Sequence, residues 1–201
     1  MKNKLLVLIA AVIAFTACDK LPLQRSYEYD PQPLDPHQGV TCWQYIEADP
    51  WKNLSIMKSA IEKCGLQDYY SQTGTKYTFI LLDDTAFISY VFKDFEIGDI
   101  SEADKDRLTN LLLFHIVKGE YDSYNGSLGY DPVHVLTLWQ DVDAVMTIKL
   151  FDSEALSQKQ QDKVTFMDQC GKSTVIKATT SDLIMTNGPA HIISNYCKYV
   201  K

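Results

Sequence analysis

What this 201-residue chain lacks narrows its function before any motif does. It contains no GxSxG, HExxH or SxxK, and so no familiar serine-nucleophile or zinc-hydrolase signature. Its nine glycines build no phosphate-cradling loop, and no EF-hand spacing is present. Positive charge is scarce, with 19 Lys and Arg against 26 Asp and Glu. Nucleic-acid binding rests on neutralising phosphates with Lys and Arg, so no nucleic-acid partner is expected. No apolar run reaches the ~20 residues needed to span a bilayer, and no internal repeat is visible. Five cysteines occur, none in a CxxC and none at zinc-finger spacing. Two carboxylates brought together in space would leave no trace in sequence. The expectation is nevertheless a non-enzymatic protein with no catalytic residues, no cofactor and no metal.

What the chain does have begins at its N-terminus. Lys2 and Lys4 precede an uncharged run over residues 5–16, which reads as a secretory signal. The run ends in Phe15-Thr16-Ala17-Cys18, which resembles a bacterial lipobox. Cys18 is therefore the expected lipidation site and mature N-terminus, with 1–17 removed as signal peptide. Acyl chains such as palmitate then anchor the protein to a membrane, durably when two or more are present. Residues 18–39 read as a tether, with Pro22, Pro31, Pro33 and Pro36, reaching ~70 Å if extended or ~25 Å as a coil. Losing Lys2 and Lys4 with the signal makes the formal charge of −7 two units more negative. The remaining ~160 residues, expected as one domain over 40–201, are enough for a core without staples.

Within that domain a helix is predicted from about Pro50 to Cys64. Asp49 caps it, Gly65 ends it, and Trp51, Leu54, Met57, Ile61 and Cys64 form an inward stripe. Residues 77–82 read as a buried strand, and a second helix starts after Ser101 with Asp104 in a capping-box position. That helix turns Leu108, Leu111, Leu112 and His115 inward. Beyond it the period changes to two, with Met146, Ile148 and Leu150 on one face, and short strands follow at 164–166, 174–178 and 191–200. Asn187-Gly188 marks a turn before the last of these, while Asp141 and Asp143 are placed in a loop. Helices early and strands late give an α+β class. Cys42, Cys64, Cys170 and Cys197 allow three disulfide connectivities, and equally suit buried thiols.

Three segments together resemble a fasciclin (FAS1) domain. KYTFILLDDTAF at 76–87 is similar to the family's first box, LLLFHIVKGEY at 111–121 to its central Tyr-His segment, and SDLIMTNGPAHII at 181–193 to its last. Phe114 stands where the family usually has tyrosine, Asp83-Asp84 replaces a proline-containing turn, Pro189 follows the Asn-Gly turn, and Ser194 replaces a common aspartate. The resemblance covers about 40–200. It implies a single FAS1-like α+β domain, with helices packed on a small, mainly antiparallel sandwich or wedge. It also implies an adhesion or matrix-interaction module. Phe114, His115, Asp182 and Leu183 match the positions associated with integrin contact in animal relatives, and are the candidate interaction residues. Buried packing is the competing reading of Phe114 and His115, and His115 and His191 read more readily as hydrogen-bonded structural groups than as a metal or proton-transfer pair.

The expected function is thus a cell-envelope lipoprotein mediating adhesion or protein and matrix interaction. The alternative is an accessory outer-membrane lipoprotein in glycan or nutrient capture, with Trp43, Tyr45, Tyr69, Tyr70, Tyr124, Tyr130 and Trp139 stacking on sugars. In either case the expected partners are the membrane, through its lipid anchor, and a protein or glycan ligand at the outer membrane. The face of the membrane and the oligomeric state stay open.

Overall fold

The computed structural model describes residues 35–140, 144–151, 163–168 and 175–198, all within one compact unit that starts at Asp35. Cys18, Cys170, Asp141 and Asp143 lie outside the described residues. Helices come first. α1 (Cys42–Ala48), α2 (Ser55–Cys64) and α3 (Gln67–Ser71) precede the first strand, β1 (Tyr77–Leu82). A helical run follows, made of α4 (Asp84–Ala86), a π-helical stretch (Phe87–Val91) and α5 (Phe92–Phe95). After a 3-10 turn (Ile100–Glu102) comes α6 (Lys105–Phe114), and then seven strands: β2 (Ile116–Lys118), β3 (Val133–Leu136), β4 (Val145–Phe151), β5 (Lys163–Asp168), β6 (Ile176–Lys177), β7 (Thr180–Met185) and β8 (Gly188–Ile193). Among these residues no helix is long and apolar enough to cross a membrane.

The strands form two four-stranded sheets, β2-β1-β8-β7 and β3-β4-β5-β6. All pairings are antiparallel except β1 with β8, where Ile80 lies opposite His191. The sheets meet where Thr137 bridges Val117 and the Leu138 amide donates to the Ile116 carbonyl at 2.8 Å. The other edge of the first sheet is covered by residues 36–40, the end of the stretch expected to be a tether. The Gln38 amide donates to Ile184, Ile184 to Pro36 and Thr186 to Val40, at 2.9 Å each. That arrangement leaves no long run of unpaired backbone on β7.

The α+β class holds, and its elements form for the physical reasons the sequence offers. In α2, Met57, Ala60, Ile61 and Cys64 are buried, and Gly65 closes the helix in the left-handed region at φ 71°. In α6, Asp104 caps by accepting the Arg107 amide at 2.8 Å, and Leu108, Leu111 and Leu112 are buried. Met146, Ile148 and Leu150 are buried along β4, while Val145, Thr147 and Lys149 are half-buried.

Three boundaries differ from expectation. The first long helix begins at Ser55, not Pro50. Asp49 ends α1 in the left-handed region and Lys52 is left-handed too, so Pro50-Trp51 forms a turn and Trp51 is 70% exposed. The Asp49 carboxylate, expected as the cap, instead holds the turn ahead of the helix by accepting the Asn53 and Leu54 amides at 2.9 and 3.2 Å. Ser101 belongs to the 3-10 turn, with Asp104 taking the capping role expected of it. The last strand starts earlier, at Gly188, and ends at Ile193. Among the described residues no disulfide forms. Cys42, Cys64 and Cys197 are buried, and burial raises the pKa of the Cys42 and Cys64 thiols.

Candidate interaction site

The central motif sits where α6 runs into β2. Phe114 and His115 are fully buried, so neither offers surface to a partner in this fold. Phe114 packs edge-on against His115 and Trp139, with centroids 5.7 and 6.0 Å apart. At such a dry position the missing tyrosine hydroxyl would itself need a hydrogen-bond partner. His115 Nδ1 donates to the Leu111 carbonyl at 2.8 Å, and Nε2 accepts the Cys197 amide at 3.1 Å. Both ring nitrogens are thus committed in one tautomer, and burial lowers the pKa to about 4. The ring ties the end of α6 to the chain after β8, and is no free base.

His191, on β8, plays the mirror-image part in the other tautomer. Nδ1 accepts the Asp182 amide at 3.2 Å, so Nε2 carries the proton and donates to the Tyr121 carbonyl at 2.9 Å. Burial pushes its pKa down, while Asp182, the Tyr121 bond and Asp122 push it the other way. Asp182 is itself buried, in a bulge of β7 at φ 60°, a conformation that aspartate tolerates better than most residues. Its carboxylate accepts the Ser123 amide at 3.0 Å and the Ser123 hydroxyl at 2.9 Å. From β1, the Thr78 hydroxyl donates to the Gly119 carbonyl and accepts the Tyr121 amide, each at 2.8 Å.

All three motif segments therefore converge beneath one loop. Thr78 comes from the first, Gly119 and Tyr121 from the second, and Asp182 and His191 from the third. The loop is also internally tied. Asp122 Oδ1 accepts the Tyr124 and Asn125 amides at 2.8 Å, and the Ser127 hydroxyl accepts the Asp122 amide at 3.0 Å. On this fixed base Tyr124 is 66% exposed, and Tyr130, further along, 52%. Leu183 is half-buried. Of the other aromatics considered for sugar stacking, Tyr45, Tyr70 and Trp139 are buried, which removes them from any surface, while Trp43 is half-buried and Tyr69 exposed.

The remaining motif residues are fasteners. Asn187, fully buried, accepts the Cys42 amide at 2.9 Å and donates to the Tyr70 carbonyl at 2.8 Å, joining α1 and α3 to the β7–β8 turn. Gly188, at φ 129°, leaves room for the Tyr77 carbonyl, whose oxygen would lie 1.9 Å from an added Cβ. The Asp83 carboxylate accepts the Ala86 amide at 2.8 Å and a short bond from the Ser194 hydroxyl, so a serine suffices at that position. Asp84 accepts the Ser55 hydroxyl at 2.8 Å and the Ile56 amide at 2.9 Å, securing the start of α2. Thr78, Asp122, Ser123 and Asn187 were not singled out from sequence for these roles. Asn187 carried a turn signal, and the other three carried none. Among the described residues no group of three His, Cys, Asp or Glu side chains is placed to hold a metal ion. The arrangement is one that displays aromatic surface on a rigid base.

Comparison with known proteins identifies the family and the fold. The fasciclin domain model matches residues 52–196. The FAS1 domain pair of the insect cell adhesion molecule fasciclin I is similar in fold, with a TM-score of 0.55 at 16% identity. The match covers 78% of this chain and 50% of that one, so this chain spans half the length of that structure. No curated protein matches. Fasciclin domains are generally non-catalytic binding domains. With one domain, two small sheets and a family match over most of its length, the chain belongs to the fasciclin (FAS1) domain family.

Proposed function

We propose that this chain is a non-enzymatic cell-envelope lipoprotein whose fasciclin domain mediates adhesion or protein and matrix interaction through the 121–131 loop. The observation that carries the reading is Tyr124, exposed on a loop fastened by all three family motifs. An aromatic side chain on a fastened backbone offers a large contact area at little ordering cost of the loop, which is what a binding surface needs. The anchor rests on Cys18 and the short apolar run before it. Adhesion is the part that the insect relative's description shares.

Two experiments test the two halves separately. Labelling cells with an alkyne palmitate analogue should mark the wild-type protein and leave Cys18→Ser unmarked; equal labelling of both rejects the anchor. Beads coated with the folded domain should bind cells or matrix, and Tyr124→Ala should lower the binding at unchanged melting temperature. Undiminished binding would move the contact surface away from this loop. Glycan capture is the second reading, favoured by the exposed Tyr124 and Tyr130 alone. A glycan array on which the wild type binds and a Tyr124→Ala/Tyr130→Ala double variant does not would select it.

A further inference from the structure

The fastening of the 121–127 loop includes one imidazole, a group that acid can protonate once it is released from its buried place. His191 sits between the loop and the bulge of β7, with one ring nitrogen bonded to each. The charged groups facing it are Asp182 on β7 and Asp122 in the loop. β1 presents Ile80 as its register partner, and β5 places the Phe166 ring 5.6 Å away. Nδ1 is an acceptor here, and its partner is a backbone N–H that has no other role to turn to. A proton added at Nδ1 sets one donor against another. The cationic ring can then be satisfied only by turning to a carboxylate. The nearest of these, Asp182, is the group that holds Ser123 by two bonds.

We propose that His191 is a proton-operated latch: protonation of its ring releases the 121–127 loop, and with it Tyr124, while the two sheets stay folded. The contact surface would thus be ordered at neutral pH and loosened by acid. The direction follows from the buried, neutral ring. In the open loop the ring titrates near its ordinary ~6.5, and in the latched loop lower, so opening gains as pH falls below ~6.5. Between pH ~7.5 and ~5.5 the open fraction should rise, by at most about tenfold.

Amide exchange followed by NMR, corrected for intrinsic rates, reads this directly. Protection of Ser123, Tyr124 and Asn125 should fall by up to about tenfold over that interval, while Ile80 and Leu81 of β1, which exchange by global unfolding, stay far better protected throughout. His191→Gln can still donate to the Tyr121 carbonyl but cannot titrate, and its loop protection should not change with pH. The proposal is overturned if wild-type loop protection is constant over the interval, if the loop is as well protected as β1 throughout, or if the loss persists in His191→Gln. Should that variant not fold, the wild-type ring signal of His191 decides. A ring titration and loop release with a common midpoint support the latch, and midpoints a pH unit or more apart reject it.

Discussion

Replacing Asn187 with alanine should cost this domain more than its small volume implies. The side chain is fully buried and makes two bonds to different elements, accepting from Cys42 at the first turn of α1 and donating to the carbonyl of Tyr70 on α3. Those partners also fix the amide orientation, since one is a donor and the other an acceptor. Alanine removes both bonds and leaves a buried N–H and a buried C=O, each costing about 1–3 kcal/mol. A total of about 2–6 kcal/mol is a large share of the ~5–15 kcal/mol that holds a domain together. At ~2–4 °C per kcal/mol for this size, the melting point should drop by roughly 4–24 °C. Urea unfolding of the chain without residues 1–18, followed by tryptophan fluorescence and circular dichroism, measures it. Trp43 lies next to Cys42 on α1, so coincident fluorescence and dichroism transitions would show that the loss is global. A loss below ~1 kcal/mol would refute the reasoning, because it would mean that neither bond is needed where it lies.

Other expectations can be checked on the same preparation. The Tyr70 hydroxyl is buried without a hydrogen-bond partner, so Tyr70→Phe should be neutral or stabilising by up to about 1 kcal/mol in urea; a loss of that size would contradict it. Gly188→Ala meets backbone 1.9 Å away at a φ that L residues avoid, and should cost about 3 kcal/mol or more by thermal melt, with near-wild-type stability the refuting result. His115 has a folded pKa of about 4, depressed from its ordinary 6.5 by burial. Its neutral form therefore contributes full stability above pH ~6.5, and about 3 kcal/mol is lost as pH falls toward ~4. Urea midpoints across that interval should decline, and an NMR titration of His115 at or above 6.5 would remove the cause.

The sequence disclosed elements whose signal is local. β1 and β4 announce themselves as a buried run and a strict alternation, and α6 by its aspartate cap ahead of inward leucines. The misplaced start of α2 has a clear origin, because Asp49-Pro50 is a good helix opening that here lies in a turn bounded by two left-handed residues. α1 escaped notice although its capping box, Thr41 with Gln44, is plain to read. β7 was missed since the bulge at Asp182 spoils its alternation. The three motifs were legible and their purpose was not. Phe114 and His115 match a contact pair by resemblance, but the apolar stripe they end favours core packing and they do lie in the core, while the exposed Tyr124 belongs to a loop without any motif. Bonds such as Ser123 to Asp182 join segments far apart in sequence, and no periodicity records them.

The pairing of β1 with β8 also sets an order of events in time. The first strand of the sheet to leave the ribosome must wait for the last before its central parallel pairing can form. The Asn187 clamp waits as well, since its partner Tyr70 is 117 residues away. β1 and β2 can meet early, but with β8 absent the pair has a bare, apolar flank and little reason to persist. Closing so long a loop is slow, because its entropy must be lost before any contact rewards it. The first sheet therefore stays open until β8 has been made, and the domain commits to its fold only then.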